Sequence, residues 1–270
     1  MQTVHKAALD AGQVAGKSAY HLDLLCHEIR ARWDGSSLGL CRRIEGIYRA
    51  SGFSMHVDRD DQQFYLSALY TLVSQVRADC IVETGTFVGC SAVAMACAQD
   101  DQGLAGVIDT IDPAPRQYGG FDVDDPVAVA TTVFGAAFPE RIRHHRGYSV
   151  RPWDRSRHDL PTAPIGVLQH LVRSRRIDLL VIDGDHSYLG AYGDLEIGHQ
   201  GLRIDGPRLI FVHDYHSISS VRRAVRDWRR RHGDRVAFRA WPERSGFALI
   251  QCHPGMLADR PAPESPFTWS

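Results

Sequence analysis

Lysine is all but missing from this chain of 270 residues: it occurs only at Lys6 and Lys17, and arginine supplies every other basic side chain. The bias runs along the whole length, so it reads as compositional habit rather than a binding patch. Formal net charge is −1, which lacks the basic field expected of a polyanion binder. No apolar run approaches the roughly 18 residues needed to cross a bilayer. Residues 1–20 lack the continuous apolar core of a secretory leader. The six cysteines form no C-x-x-C pair, which argues against a zinc ribbon or disulfide framework and for reduced thiols. These absences predict a cytoplasmic protein that acts on a small molecule, with no nucleic-acid or membrane partner.

What is present is 44% hydrophobic and 23% charged residues, enough to build a large core without staples. Residues 1–33 carry Ala7, Ala11, Leu22, Leu25 and Ile29 at helical spacing, and the pattern predicts a helix ending near Trp33-Asp34-Gly35. A second helix is expected over 38–50 and a third over 60–77. Residues 1–59 thus read as a helical cap or oligomerisation segment, consistent with a homo-oligomer, ahead of a domain over 60–253. The proline-rich stretch 254–270 reads as an irregular tail.

From residue 79 short apolar strands alternate with amphipathic helices. Strands are expected at Cys80–Glu83, Gly106–Ile111, Ile142–His145, Ile177–Ile182 and Leu209–Val212, with helices over 90–99, 125–137, 164–175, 189–203 and 217–232. This alternation predicts a mostly parallel sheet covered on both faces. Arg235–Ala240 and Gly246–Cys252 are separated by a short turn, so an antiparallel hairpin should replace the last crossover. The fold class is therefore α/β, Rossmann-like.

The run Ile81-Val82-Glu83-Thr84-Gly85-Thr86-Phe87-Val88-Gly89-Cys90-Ser91 is a strand, a glycine turn and a helix start. Ligands of open parallel sheets sit beyond the carboxyl ends of the strands. Gly85 would allow close backbone approach, and Gly89 tight packing at the helix start. The third glycine of the dinucleotide fingerprint and the P-loop lysine are both missing. Glu83 would repel a pyrophosphate but suits the ammonium of an amino-acid moiety. Asp112, halted by Pro113, stands where an acid can accept hydrogen bonds from two ribose hydroxyls. Glu83, Gly85, Gly89 and Asp112 together predict a pocket for an adenosyl amino acid.

Two further strands deliver acids and histidines to the same edge: Asp183-Gly184-Asp185-His186-Ser187-Tyr188 and His213-Asp214-Tyr215-His216. Asp183 and Asp214 could share a hard divalent cation such as magnesium. His186, with a pKa near neutrality, could then take a proton from a hydroxyl. Asp185 also reads as a cap for the following helix. No H-E-x-x-H or cysteine spacing supports zinc.

These motifs resemble class I S-adenosylmethionine-dependent methyltransferases, in the group with macrolide sugar O-methyltransferases and cephalosporin-hydroxylase-like proteins. The resemblance spans roughly residues 60–252, and D-G-D-H-S-Y is its most specific element. It implies a seven-stranded sheet with a terminal antiparallel hairpin. It implies that Glu83, Gly85 and Gly89 line the methionine end of S-adenosylmethionine, that Thr86 and Ser91 also bind the cofactor, that Asp112 binds the ribose, and that Gly147-Tyr148-Ser149 borders the adenine. Asp183 is implied to serve both cofactor and metal sites, and His186 to act as general base. The family has two adjacent acidic ligands on the fifth strand, and this chain has His213-Asp214. The N-terminal helices and the loop around Gln117–Phe121 are expected to cover a sugar- or phenol-like acceptor. The rivals are a nicotinamide oxidoreductase and a nucleoside-binding scaffold without chemistry. The arginine-rich segment 217–232 has Trp228 as its one tryptophan and reads as a solvated helix face.

Overall fold

The computed structural model describes residues 22–57, 60–118, 121–122, 124–150, 166–242 and 245–253. The expectations for residues 1–21, 164–165, Gly119-Gly120 and the tail 254–270 fall outside these. Helices α1 (Leu22–Ala50) and α2 (Asp60–Val76) precede β1 (Cys80–Thr84), α3 (Cys90–Asp101) and β2 (Val107–Asp112). A two-residue pairing of β3 (Gln117–Tyr118) with β4 (Phe121–Asp122) follows, then α4 (Pro126–Ala137) and β5 (Ile142–Arg146). The second half runs α5 (Val167–Ser174), β6 (Leu179–Ile182), α6 (Tyr188–Gly198), β7 (Leu209–His213), α7 (Ser219–His232), β8 (Val236–Trp241) and β9 (Phe247–Cys252).

The large sheet has the order β5-β2-β1-β6-β7-β9-β8. Its first five strands are mutually parallel, and β9 runs antiparallel to both β7 and β8. The chain builds outward from β1 through β2 to β5, then returns to place β6 on the other side of β1. That reversal makes the β1/β6 crevice the topological switch point, where open α/β sheets bind ligands.

The two-residue period of a strand assigns its side chains to opposite layers. Ile81, Ile108, Leu179, Val181, Leu209 and Phe211 join the core beneath α1, α2 and α3. Val82, Ile111, Leu180, Ile182, Ile210 and Val212 face the other layer, which contains Trp228 of α7 and Leu195 of α6. The same alternation points Glu83 toward α3 and Thr84 toward α6, so one strand end serves both sides of the crevice.

One expectation is corrected. The helix foreseen to stop near Gly35 and restart at 38 is a single helix, Leu22–Ala50. Buried Leu22, Leu25, Ile29, Ser37, Cys41, Ile44 and Tyr48 recur at three-, four- or eight-residue spacing, so one face is continuous across the glycine. A helix-interior glycine costs only about 1 kcal/mol relative to alanine, and burial of that face outweighs it. The helix after His186 is capped by Ser187, whose side chain accepts from the Gly190 N–H at 3.0 Å. Asp185 instead accepts from the Ser187 N–H at 2.9 Å. All six cysteines are free. Among the described residues no helix is long and apolar enough to cross a membrane.

Candidate active site

The loop after β1 is held to β2 and β6 by main chain and by one carboxylate. Gly85 donates to the Ile111 carbonyl at 2.8 Å, and the Asp183 N–H donates to the Thr84 carbonyl at 2.9 Å. Gly85 has φ +90°, and a Cβ there would lie 2.0 Å from the Asp183 carbonyl oxygen. The close approach that requires this glycine is thus made by the backbone at the β6 tip. Gly89 has φ +84°, and a Cβ would meet the Phe134 ring at 2.5 Å, which is the tight packing foreseen where α3 begins.

Asp112 organises the same loop. Its Oδ2 accepts from the N–H groups of Thr86 and Phe87 at 3.0 and 3.1 Å. Its Oδ1 accepts from the Ala114 N–H at 2.7 Å and the Tyr118 hydroxyl at 3.0 Å. Thr86 Oγ1 lies 2.8 Å from Thr110 Oγ1, and Thr110 donates to Glu83 Oε2 at 2.7 Å. Glu83 is fully buried and its Oε1 has no hydrogen-bond partner among the described residues. Burial pushes its carboxyl up to about 8. The Ser91 and Thr110 hydroxyls partly oppose that, Ser91 through proximity rather than a well-directed bond to Oε1. This buried acid, with one oxygen free of partners among the described residues, lies beside the glycine loop at the switch point.

Across the crevice, Asp183, His186, His213 and Asp214 converge. His213 Nδ1 lies 3.0 Å from Asp183 Oδ1 and 3.4 Å from Asp214 Oδ2. His186 Nε2 stands 3.5 Å from Asp183 Oδ1 and from Asp214 Oδ2, within ion-pair reach but without a hydrogen bond. The His186 carbonyl accepts from Ser220 of α7 at 2.6 Å, which fixes its backbone. Burial works against charge on His213, but Asp183 and then Asp214 outweigh it and raise the imidazole to about 10. Burial would likewise raise Asp183, but His213 and His186 hold it well below the usual carboxylate range. His186 is raised for the same reason: its desolvation is outweighed by Asp183 and Asp214.

Three contributors escape the sequence reading. Tyr65 of α2 donates to Asp183 Oδ2 at 3.1 Å, with its ring 4.1 Å from that of His213. Thr84 and Ser149 both donate to Asp194 of α6, at 2.8 and 2.5 Å. A signal existed for Asp194, an acid on the buried stripe Gly190, Ala191, Leu195 and Gly198. Tyr65 gave none, since it falls among the apolar residues of a core helix. His216 is exposed and stands outside the cluster.

A seven-stranded sheet of this order, with an acid-ended glycine loop and a second acid across the switch point, is the class I fold of S-adenosylmethionine-dependent methyltransferases. Residues 82–215 match the model of a family described as a methyltransferase domain. Solved structures of similar fold include PaMTH1 of Podospora anserina with bound S-adenosylhomocysteine (SAH), at 14% identity and TM-score 0.53, over 77% of this chain and 87% of that one. Cofactor-bound Rv0187 from MTB aligns at 15% identity and TM-score 0.52, over 79% and 89%. The O-methyltransferase TomG of Streptomyces achromogenes, in complex with S-adenosylmethionine, aligns at 13% identity and TM-score 0.50, over 79% and 89%. No curated protein sequence matches the chain.

Proposed function

We propose that the chain is an O-methyltransferase that moves the methyl group of S-adenosylmethionine to a hydroxyl of a small sugar, phenol or natural-product intermediate, with His186 as general base. The observation that carries this reading is His186 Nε2 at 3.5 Å from both Asp183 and Asp214, across the switch point from the buried acid Glu83. Glu83 meets the amino-acid ammonium, Ser91 and Thr86 line that end, the Asp112-ordered loop takes the ribose, and Gly147 and Ser149 border the adenine. The bound cofactor supplies a sulfonium-activated methyl group. His186 accepts the acceptor's proton, and Asp183 and Asp214 stabilise the imidazolium that results. Positioning and exclusion of water do the remainder.

Asp183, His213 and Asp214 each offer a ligand atom within 4.8 Å of one another, a set that fits a divalent cation. Two carboxylates suit magnesium, and the imidazole moves the preference toward manganese or iron. Such an ion, when bound, would acidify the acceptor hydroxyl. A cytoplasmic homo-oligomer remains part of this proposal.

Thermal unfolding with SAH or NAD, each with divalent metal or chelator, tests the cofactor. A specific ligand at a hundred times its dissociation constant adds about 2.7 kcal/mol. A shift with SAH and none with NAD is expected, and the reverse would favour an oxidoreductase. Radiolabelled methyl transfer to a panel of catechols, flavonoids and hexoses tests the chemistry. His186→Ala should lose on the order of a hundredfold or more in turnover with SAH affinity unchanged. Equal loss of both would make the histidine structural.

A further inference from the structure

We propose that Asp194, on the helix that follows His186, is a positioning residue of the cofactor site, clamping the adenine-side turn at Ser149 to the tip of β1 at Thr84. The inference rests on the cofactor reading above and assigns to it a residue that acts through Thr84 and Ser149.

The two hydroxyls that Asp194 gathers lie on different strand ends. Thr84 closes β1, and Ser149 follows β5, with β2 and its Asp112 between them in the sheet. Asp194 Oδ2 accepts from Thr84 at 2.8 Å and Oδ1 from Ser149 at 2.5 Å. The acid is fully buried, so its presence costs free energy unless its oxygens are bonded. A hydrophobic side chain of similar size would fill the same space at lower cost, which leaves the two hydroxyls as the reason for a carboxylate.

The surrounding chain leaves the turn little other freedom. The Leu168 N–H donates to the Ser149 carbonyl at 2.8 Å, and Val167 donates to Tyr148 at 2.9 Å. A Cβ on Gly166 would meet the Ser149 carbonyl oxygen at 2.4 Å, and one on Gly193 would meet Val150 at 3.0 Å. Main chain therefore fixes where the turn sits, and Asp194 fixes which way the Ser149 hydroxyl points. Through Thr84, whose carbonyl accepts from the Asp183 N–H, the same acid ties the turn to the edge that carries the histidines.

Isothermal titration of the full chain with SAH tests this. Asp194→Asn should bind about tenfold more weakly, the effect of one lost buried hydrogen bond, and Ser149→Ala should match it. The double variant should lose no more than either single one. A merely structural acid would lower the melting temperature without this pattern. Wild-type affinity in Asp194→Asn, or losses that multiply to about a hundredfold in the double variant, would overturn the clamp. If Asp194→Asn does not fold, Thr84→Val and Ser149→Ala stand in, and wild-type affinity in both would overturn it equally. Failure of the wild-type chain to bind SAH would remove the cofactor reading, and the clamp with it.

Discussion

At the scale of single residues, the decisive feature is that this site buries carboxylates in two opposite ways. Asp183 has the imidazoles of His213 and His186 beside it and is held low, whereas Glu83 meets only hydroxyls and is pushed up from its ordinary 4.5 to about 8. The native state therefore holds a proton on Glu83 that the unfolded chain releases near pH 4.5. Its contribution favours folding fully below that pH and is lost as pH rises toward 8, by an amount on the order of a few kcal/mol. Urea unfolding at pH 5, 6.5 and 8 should show this fall, and Glu83→Gln should flatten it. Asp194, raised to about 7 by its burial, adds a contribution of the same sign that is complete near pH 7. An unchanged slope in Glu83→Gln would mean that Glu83 is ionised in the native state. Glu83, Asp112 and Asp183 were legible in the sequence because a strand followed by a turn fixes where its last side chain goes. Tyr65 and Asp194 were not, because a helix sequence shows which residues share a face but not what that face meets.

At the scale of elements, the crevice depends on how closely the β1 and β6 loops approach. The Gly85 backbone lies against the Asp183 carbonyl, and Gly184 packs against Thr84 in turn, where a Cβ would reach Thr84 Oγ1 at 3.2 Å. Gly85→Ala adds a methyl group where φ is +90° and no space exists. It should cost at least about 2 to 4 kcal/mol, read as a lower melting temperature, and should displace Asp183 from Tyr65 and His213. Preserved stability would require the loop to have another packing. Tyr65→Phe is the milder probe at this scale. It keeps the ring on His213 and removes the hydroxyl from Asp183, so manganese binding should weaken severalfold while SAH affinity holds. Equal affinity for manganese would show that Asp183 needs no help from α2. The five parallel strands and the terminal hairpin were readable from alternating patterns. The continuity of α1 was not, because a glycine is local evidence of an end and the buried face that overrides it is not local.

At the scale of the whole molecule, the question is whether the N-terminal helices cap a finished domain or belong to its core. The packing argues for one core. Leu25, Ile29, Ile44 and Tyr48 of α1 lie in the same buried cluster as Leu69 and Leu72 of α2, Met95 of α3, and the strand residues Ile81, Ile108 and Phe211. Tyr48 also donates its hydroxyl to the Val88 carbonyl in the glycine loop after β1, which ties α1 directly to that loop. Two layers that share one sheet exchange little surface with solvent until both open, so unfolding should be cooperative. Ile44 is fully buried in the α1 layer, and Ile44→Ala should cost about 2 to 5 kcal/mol. The check is fluorine NMR of labelled tryptophan during urea unfolding. Trp33 reports on α1, and Trp228, fully buried in the opposite layer, reports on the far side of the sheet. If the molecule is one cooperative unit, Ile44→Ala moves both transitions to lower urea by the same amount. A shift confined to Trp33 would make the helices a separable cap and place the catalytic domain, with its carboxylates and histidines, on a core that stands without them.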